Sequence, residues 1–103
     1  MSEPTPIPQR DQVVRQLRAH WPELRQHGLV HLDLVGSVAR DEGHAGSDID
    51  LVADLDPALD LHGFLDVVDR LQLLLGARVD LMSRRGLRTH WRQHFEQGAV
   101  HVA

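Results

Sequence analysis

Two pairs of residues with complementary chemistry stand close together in this sequence. Gly36 and Ser37 end an apolar run, and Asp48 and Asp50 follow after an interval of ten residues. Glycine allows a sharp turn and the close approach of a ligand to the backbone, and a serine at a helix start places a hydroxyl beside unpaired N–H groups that favour anions. Two carboxylates suit Mg2+, which also takes phosphate oxygens as ligands. The combination predicts a site for a metal-bound nucleoside triphosphate.

The elements that must position these residues follow from local patterns. The run 29–35 is rich in leucine and valine, and apolar runs bounded by glycine are typical of strands. Ser37 is expected to open a short helical segment over residues 37–42, which Gly43 ends. The sequence therefore predicts a strand that stops at Gly36 and turns at once into a short helix.

The strand that carries the two carboxylates is predicted from alternation. Polar and apolar side chains alternate over residues 47–53, so Asp48 and Asp50 point to one face while Ile49 and Leu51 point into a core. Residues two apart on a strand have Cα atoms about 6.5 to 7 Å from each other, so the carboxylates can share one or two cations. Without a cation their charges repel each other.

A third acidic residue occupies a second alternating run. Residues 78–82 place Asp80 between apolar neighbours, and Gly76 is expected to stop the preceding helix. If this strand lies beside the strand of Asp48 and Asp50, Asp80 faces the same cations. Asp80 is then the group expected nearest to the attacking hydroxyl.

The Gly-Ser turn, the ten-residue interval, the Asp-x-Asp pair and the later Val-Asp-Leu strand resemble the nucleotidyltransferase superfamily that includes DNA polymerase beta. The chain is most similar to minimal nucleotidyltransferase (MNT) domains, which often serve as the antitoxin half of HEPN/MNT toxin/antitoxin pairs. The resemblance covers roughly residues 30–81. It implies an α/β (α+β) fold with a small mixed sheet flanked by helices, two Mg2+ ions as cofactor, and transfer of AMP from ATP to a hydroxyl.

The resemblance also assigns roles to single residues. The nucleotide-binding residues that it implies are Gly36, Ser37, Arg40 and Ser47, with Gly36 and Ser37 at the β- and γ-phosphates. The catalytic and metal-binding residues that it implies are Asp48, Asp50 and Asp80. Asp48 and Asp50 are expected to bind both ions, and Asp80 is expected to bind one ion and help deprotonate the acceptor.

One position departs from the family pattern. Many members have glycine after the motif arginine, whereas Asp41 follows Arg40 here. We expect Asp41 to face solvent on the short helix, which leaves Arg40 free to contact phosphate or a partner. The alternative for Arg40 is a surface ion pair of little energetic consequence.

The resemblance points to a HEPN ribonuclease toxin as the partner that receives AMP. The chain has no tyrosine, so an acceptor tyrosine must lie on another chain. Two alternatives stay open: an antitoxin that only covers its toxin, and a transferase for a small molecule such as an aminoglycoside. Three intact carboxylates favour chemistry over binding alone, and a chain this short has no room for a separate substrate domain.

Composition excludes several other functions. The formal net charge is −4, which argues against direct binding of duplex nucleic acid. All eleven basic residues are arginines and cysteine is absent, which removes a catalytic lysine, disulfides and sulfur-bound zinc. His90 and His94 stand four apart, but no third ligand is near in sequence, so we predict no zinc site.

Four arginines near the C-terminus either contact an acidic partner or the triphosphate, or form a solvated surface: Arg84, Arg85, Arg88 and Arg92.

The remaining sequence predicts one domain. Residues 1–10 are expected to be a disordered lead and residues 11–103 a single nucleotidyltransferase domain, with Asp11 capping the first helix. Apolar residues over 61–75 predict a helix that covers the sheet. A last helix is expected over residues 89–97, with Trp91 and Phe95 either buried or exposed as a partner anchor, and residues 99–103 either form an edge strand or stay loose. No apolar run is long enough to span a membrane, and the cytoplasm is the expected location.

Overall fold

The alternating apolar runs form a sheet onto which the helices pack. The computed structural model describes residues 7–87, 93 and 96–103. The helices and strands are α1 (Arg10–Ala19), α2 (Trp21–Gln26), β1 (Leu29–Val35), α3 (Gly36–Ala39), β2 (Ile49–Leu55), α4 (Leu61–Leu75), β3 (Val79–Ser83) and β4 (Val100–His101). A 3-10 turn, Arg84–Gly86, follows β3 directly.

The four strands form a mixed sheet in the order β3-β2-β1-β4. β1 runs antiparallel to both β2 and β4, whereas β2 and β3 are parallel. Parallel neighbours need a crossover connection, which α4 supplies. The predicted fold, a small mixed sheet flanked by helices, is confirmed.

The apolar core lies on one face of the sheet. The strand residues Leu32, Leu34, Ile49 and Leu51 point into it. They pack with buried residues of α1, α2 and α4, among them Val13, Leu17, Leu24, Val67 and Leu71. The intervening strand residues point to the opposite face, which we call the acid face and define by Asp33 on β1, Asp50 and Asp54 on β2, and Asp80 on β3.

The start of α1 differs from the prediction. The helix begins at Arg10, so Gln9 stands at the N-cap position and Asp11 lies in the first turn, where it makes no capping bond. The prediction of Asp11 as cap was therefore wrong, although an acidic residue in a first turn still complements the helix dipole. Residues 1–6 of the expected lead lie outside the described residues.

Helix α4 has the predicted bounds but buries fewer of its leucines than expected. Val67 and Leu71 are buried, whereas Leu61 is 73% exposed and Leu65 is also exposed. A helix on one face of a sheet buries a single stripe, so these two leucines fall outside that stripe. Gly76 ends the helix in the left-handed conformation, with φ 64°, as predicted.

The end of the chain forms the edge strand β4. Val100 pairs with Leu34, and beyond the strand Val102 and Leu32 continue the backbone hydrogen bonding. Arg18 on α1 donates hydrogen bonds to the carbonyl oxygens of His101 and Val102. Of the two alternatives for residues 99–103, the structure has the strand.

Several predictions fall on residues that the structure does not describe. These are His90, His94, Trp91, Phe95, Arg88 and Arg92, and the predicted helix over residues 89–97 lies mostly among them. In the described ranges, no helix has both the length and the apolar character needed to cross a membrane.

Candidate active site

The acid face brings two of the predicted carboxylates together. Asp50 on β2 and Asp80 on β3 are register partners on adjacent parallel strands, so their side chains point the same way from neighbouring positions. The prediction that the strand of Asp80 lies beside the Asp-x-Asp strand is therefore confirmed. Asp48 stands just before β2 and is exposed.

The electrostatics of Asp50 reflect this crowding. Its pKa is raised from the ordinary value of 3.8, first by burial and then by the negative charges of Asp80 and Asp48, while the charge of Arg40 acts in the opposite direction. The carboxylate therefore carries an unfavourable charge interaction in the free protein. A bound divalent cation is the kind of group that relieves it.

Gly36 is required where β1 meets α3. Its φ is 75°, a conformation that side chains rarely adopt. A Cβ atom built on Gly36 would overlap the carboxylate of Asp50. Glycine thus permits both the turn and the contact between the turn and the acid face.

The segment after Gly36 is shorter than predicted. α3 ends at Ala39, and the chain then closes on itself through two backbone bonds: Glu42 N–H donates to Ser37 O at 2.8 Å, and Asp41 N–H donates to Val38 O at 3.1 Å. These are the two bonds of a Schellman motif, which places a left-handed residue just past the helix.

Asp41 is that left-handed residue, with φ 61°. It is exposed, as expected. It does not lie on the helix, so that part of the prediction was wrong. The conformation also gives a physical reason why glycine suits this position in many family members.

Arg40 forms a surface ion pair, which was the predicted alternative to contact with phosphate or a partner. Its Nε lies 3.2 Å from Oε2 of Glu42, and the stem of its side chain lies beside Gly98, since an added Cβ there would come within 3.1 Å of Arg40 Cγ. Its charge nevertheless acts on Asp50. Arg40 therefore belongs to the electrostatics of the site, but in the free protein it is partnered.

Ser47 stabilises the loop between α3 and β2 through hydrogen bonds to His44. The residue is only 6% exposed. Its hydroxyl accepts a hydrogen bond from the His44 N–H at 2.7 Å, and its own N–H donates to the His44 carbonyl at 2.9 Å. The predicted nucleotide-binding role for Ser47 is thus accompanied by a structural one that fixes the approach to Asp48.

The described side chains do not form a complete metal-coordination site. Across residues 7–87, 93 and 96–103, no three His, Asp or Glu side chains lie close enough together to hold a metal ion as they stand. Asp48 is turned toward Arg78, with Asp48 Oδ1 3.9 Å from Arg78 Nε, and both side chains are well exposed. The chemistry of the donors fits Mg2+, and Asp48 and Asp80 are both exposed, so their side chains have room to rotate toward Asp50.

Sequence reasoning missed a second charged cluster on the acid face. Arg84 contacts Asp33 on β1 and Asp54 on β2, and Asp33 also contacts His101 on β4. Arg84 is thus not a solvated arginine, because in the free protein its guanidinium already binds carboxylates of the same chain. Arg85 is exposed. The only sequence signal was that Asp33 and Asp54 interrupt apolar strands, which does not reveal their partner.

Known proteins share the sequence pattern and the fold of this chain. A family model described as a nucleotidyltransferase domain matches residues 12–100. The protein adenylyltransferase MntA of Thermococcus cleftensis is 35% identical over 74 residues, which are 71% of this chain and 75% of the relative.

Two solved structures illustrate the structural similarity. A minimal nucleotidyltransferase is 30% identical, with a TM-score of 0.77 over 89% of this chain and 94% of its own. The complex of a tri-AMPylated HEPN toxin with its MNT antitoxin from Shewanella oneidensis contains a chain 20% identical, with a TM-score of 0.64 over 87% of this chain and 71% of its own. At that identity the second similarity concerns the fold alone.

Proposed function

The chain belongs to the nucleotidyltransferase domain family, and we propose that it transfers AMP from ATP to a hydroxyl group of a partner HEPN toxin and thereby acts as its antitoxin. The observation that carries the proposal is the pairing of Asp50 with Asp80 beside a glycine turn that excludes a side chain. The name of the Thermococcus relative, protein adenylyltransferase, supports AMP as the transferred group and a protein as the acceptor.

The three carboxylates are proposed as the groups that hold two Mg2+ ions. Asp50 and Asp80 are already adjacent, and Asp48 joins them when its side chain turns away from Arg78. When bound, Mg2+ supplies charge neutralisation on the triphosphate and steadies the entering and leaving oxygens. Gly36 and Ser37 offer the backbone N–H groups of the turn to the β- and γ-phosphates.

The proposed step is an in-line displacement at the α-phosphorus of ATP. The acceptor oxygen forms a bond to that phosphorus while the bond to the oxygen bridging the α- and β-phosphorus breaks, and pyrophosphate leaves. Asp80 takes the proton of the acceptor hydroxyl. The protein contributes mainly by positioning and charge, since no covalent intermediate on the chain is needed.

The acceptor must be provided by the partner. The chain contains no tyrosine, and the name of the Shewanella complex describes AMP groups on the HEPN toxin and not on the MNT antitoxin. A tyrosine hydroxyl of the partner toxin is therefore the proposed acceptor. Because the reaction consumes ATP, the cytoplasm remains the predicted location.

Incubation with α-labelled ATP, Mg2+ and the co-purified partner tests this proposal. Label on the partner is expected with the unmutated chain and not with Asp48→Asn/Asp50→Asn. Asp66→Asn/Asp69→Asn, which removes two exposed carboxylates from α4, is the matched control and should retain transfer.

The same experiment separates the two alternatives. A double variant that still neutralises the toxin, with no label ever detected on the partner, would indicate that binding alone is the antitoxin mechanism. Label that appears on an added aminoglycoside and not on the partner would indicate a small-molecule transferase. Either result overturns the proposed function.

A further inference from the structure

Arg84 connects the end of β3 to the rest of the sheet. Its Nη2 donates a hydrogen bond to Asp33 Oδ2 on β1 at 2.5 Å, and its Nε lies 3.3 Å from Asp54 Oδ1 on β2. Asp33 Oδ1 lies 3.0 Å from Nδ1 of His101 on β4. One arginine and its carboxylates thus link all four strands across the acid face.

This cluster is more sheltered than the surface ion pairs. The side chains of Arg84 and Asp33 are 28% and 17% exposed, whereas Arg70 and Glu23, which pair between α4 and α2, are both about half exposed. The hydrogen bond to Asp33 raises the pKa of Arg84, so the guanidinium stays charged. Its planar array of N–H donors can bind two carboxylates at once, for which a lysine ammonium is less suited.

β3 is an edge strand, so a contact at its end adds to its pairing with a single neighbour. It pairs with β2 from Val79 to Ser83, and among the described residues no strand lies along its other edge. Asp80 lies near the start of β3, and Arg84 fastens the strand immediately after its last residue. A displacement of about 1 Å at a reacting group can cost about 100-fold in rate, so the fixing of β3 matters for Asp80.

We propose that Arg84 is a positioning residue: by binding Asp33 and Asp54 it fixes β3 against β2 and thereby holds Asp80 beside Asp50. Its consequence for catalysis rests on the proposed function. The fixing of β3 is a mechanical property that can be measured without any reaction.

Amide hydrogen exchange followed by NMR measures that property. In Arg84→Gln, the β3 amides bonded to β2 are expected to exchange at least about tenfold faster, while core amides of α1 and α4 change little. Arg84→Lys keeps one charge and is expected to recover part of the protection. Arg70→Gln breaks the exposed pair with Glu23 and, as the matched control, should leave β3 unchanged.

A combined variant separates the lost contact from the charges left behind. In Asp33→Asn/Asp54→Asn/Arg84→Gln the two carboxylates that Arg84 binds on β1 and β2 are neutral, and β3 is still expected to exchange faster because the ionic contacts from its end to those strands are lost. If β3 protection returns to that of the unmutated chain, repulsion between the two carboxylates explains the loosening and the positioning role is overturned.

Kinetics provide the second measurement. In Arg84→Gln the kcat for AMP transfer is expected to fall by about tenfold to 100-fold, with the KM for ATP changed by less than about twofold. An unchanged kcat, or exchange that accelerates equally in all elements, contradicts the inference. If the unmutated chain transfers no AMP, the proposed function fails, and the exchange measurement alone still decides the role of Arg84.

Discussion

At the scale of single residues, the site is built from positions that are unfavourable for folding. Asp50 is crowded by two other carboxylates, and Asp41 adopts φ 61° although it is not glycine. Such local costs are retained where the surrounding structure enforces them, and they concentrate at functional sites. Substitution of Asp50 or Asp41 should therefore raise stability, whereas substitution of Gly36 should lower it because a Cβ there would overlap Asp50.

Asp50→Asn is expected to stabilise the metal-free protein at neutral pH and to abolish transfer. Because the pKa of Asp50 is raised in the folded state, the folded protein holds this proton to higher pH than the unfolded chain does. The destabilisation caused by ionised Asp50 is therefore absent below pH 3.8, grows as the pH rises through the pKa of Asp50 in the folded protein, and is fully present above that pKa. Solvent screening limits the gain to about 0.5 kcal/mol or less.

Urea unfolding between pH 3 and pH 7 in the presence of a chelator measures this effect. The difference in unfolding free energy between Asp50→Asn and the unmutated chain should increase with pH. Asp66→Asn, which replaces an exposed carboxylate on α4, is the control and should have nearly the same unfolding free energy as the unmutated chain. A difference that shrinks as the pH rises would mean that neither burial nor the neighbouring carboxylates disfavour the ionised form of Asp50.

Asp41→Gly is expected to raise the free energy of unfolding by about 0.5 to 1 kcal/mol, because glycine adopts the left-handed conformation at the end of α3 without steric cost. Glu42→Gly is the control. Glu42 does not have a positive φ, so glycine there adds freedom to the unfolded chain, also removes the exposed ion pair with Arg40, and should lower stability. Thermal unfolding of both variants measures the effect, and a loss of stability in Asp41→Gly would contradict the Schellman interpretation.

At the scale of helices and strands, local patterns predicted most of the architecture. β1 has the predicted bounds because glycines delimit the apolar run, and α4 has them because its apolar residues recur at helical spacing before Gly76. The prediction of a helix over residues 37–42 was too long because the left-handed Asp41 ends it, and Asp is not the residue that usually marks such an end.

β4 is the element whose contribution to stability was least visible in the sequence. Val102, just past the strand, is 4% exposed in the core, so Val102→Ala is expected to lower the free energy of unfolding by about 1.5 to 2.5 kcal/mol. Val30 on β1 is 45% exposed, so Val30→Ala should cost less than about 1 kcal/mol. Equal costs for the two substitutions in urea unfolding would show that residues 100–103 do not complete the sheet.

At the scale of the whole molecule, the sheet divides packing from chemistry. One face carries the apolar core with α1, α2 and α4, and the acid face carries the carboxylates. Alternation within a strand predicts this division, and so the facing of Asp50 and Asp80 could be expected from the sequence. The cluster of Asp33, Arg84 and His101 could not, because it joins residues 51 and 68 positions apart and depends on strand order.

The proposed function requires that the three carboxylates and the glycine turn bind one ligand together. The most direct measurement is a crystal structure of the chain with Mg2+ and a non-hydrolysable ATP analogue. It should place two ions about 3.5 to 4 Å apart, with carboxylate oxygens of Asp48, Asp50 and Asp80 about 2.0 to 2.1 Å from them and the terminal phosphates on the backbone of Gly36 and Ser37. A nucleotide bound elsewhere, or an Asp80 that contacts neither ion, would contradict the account.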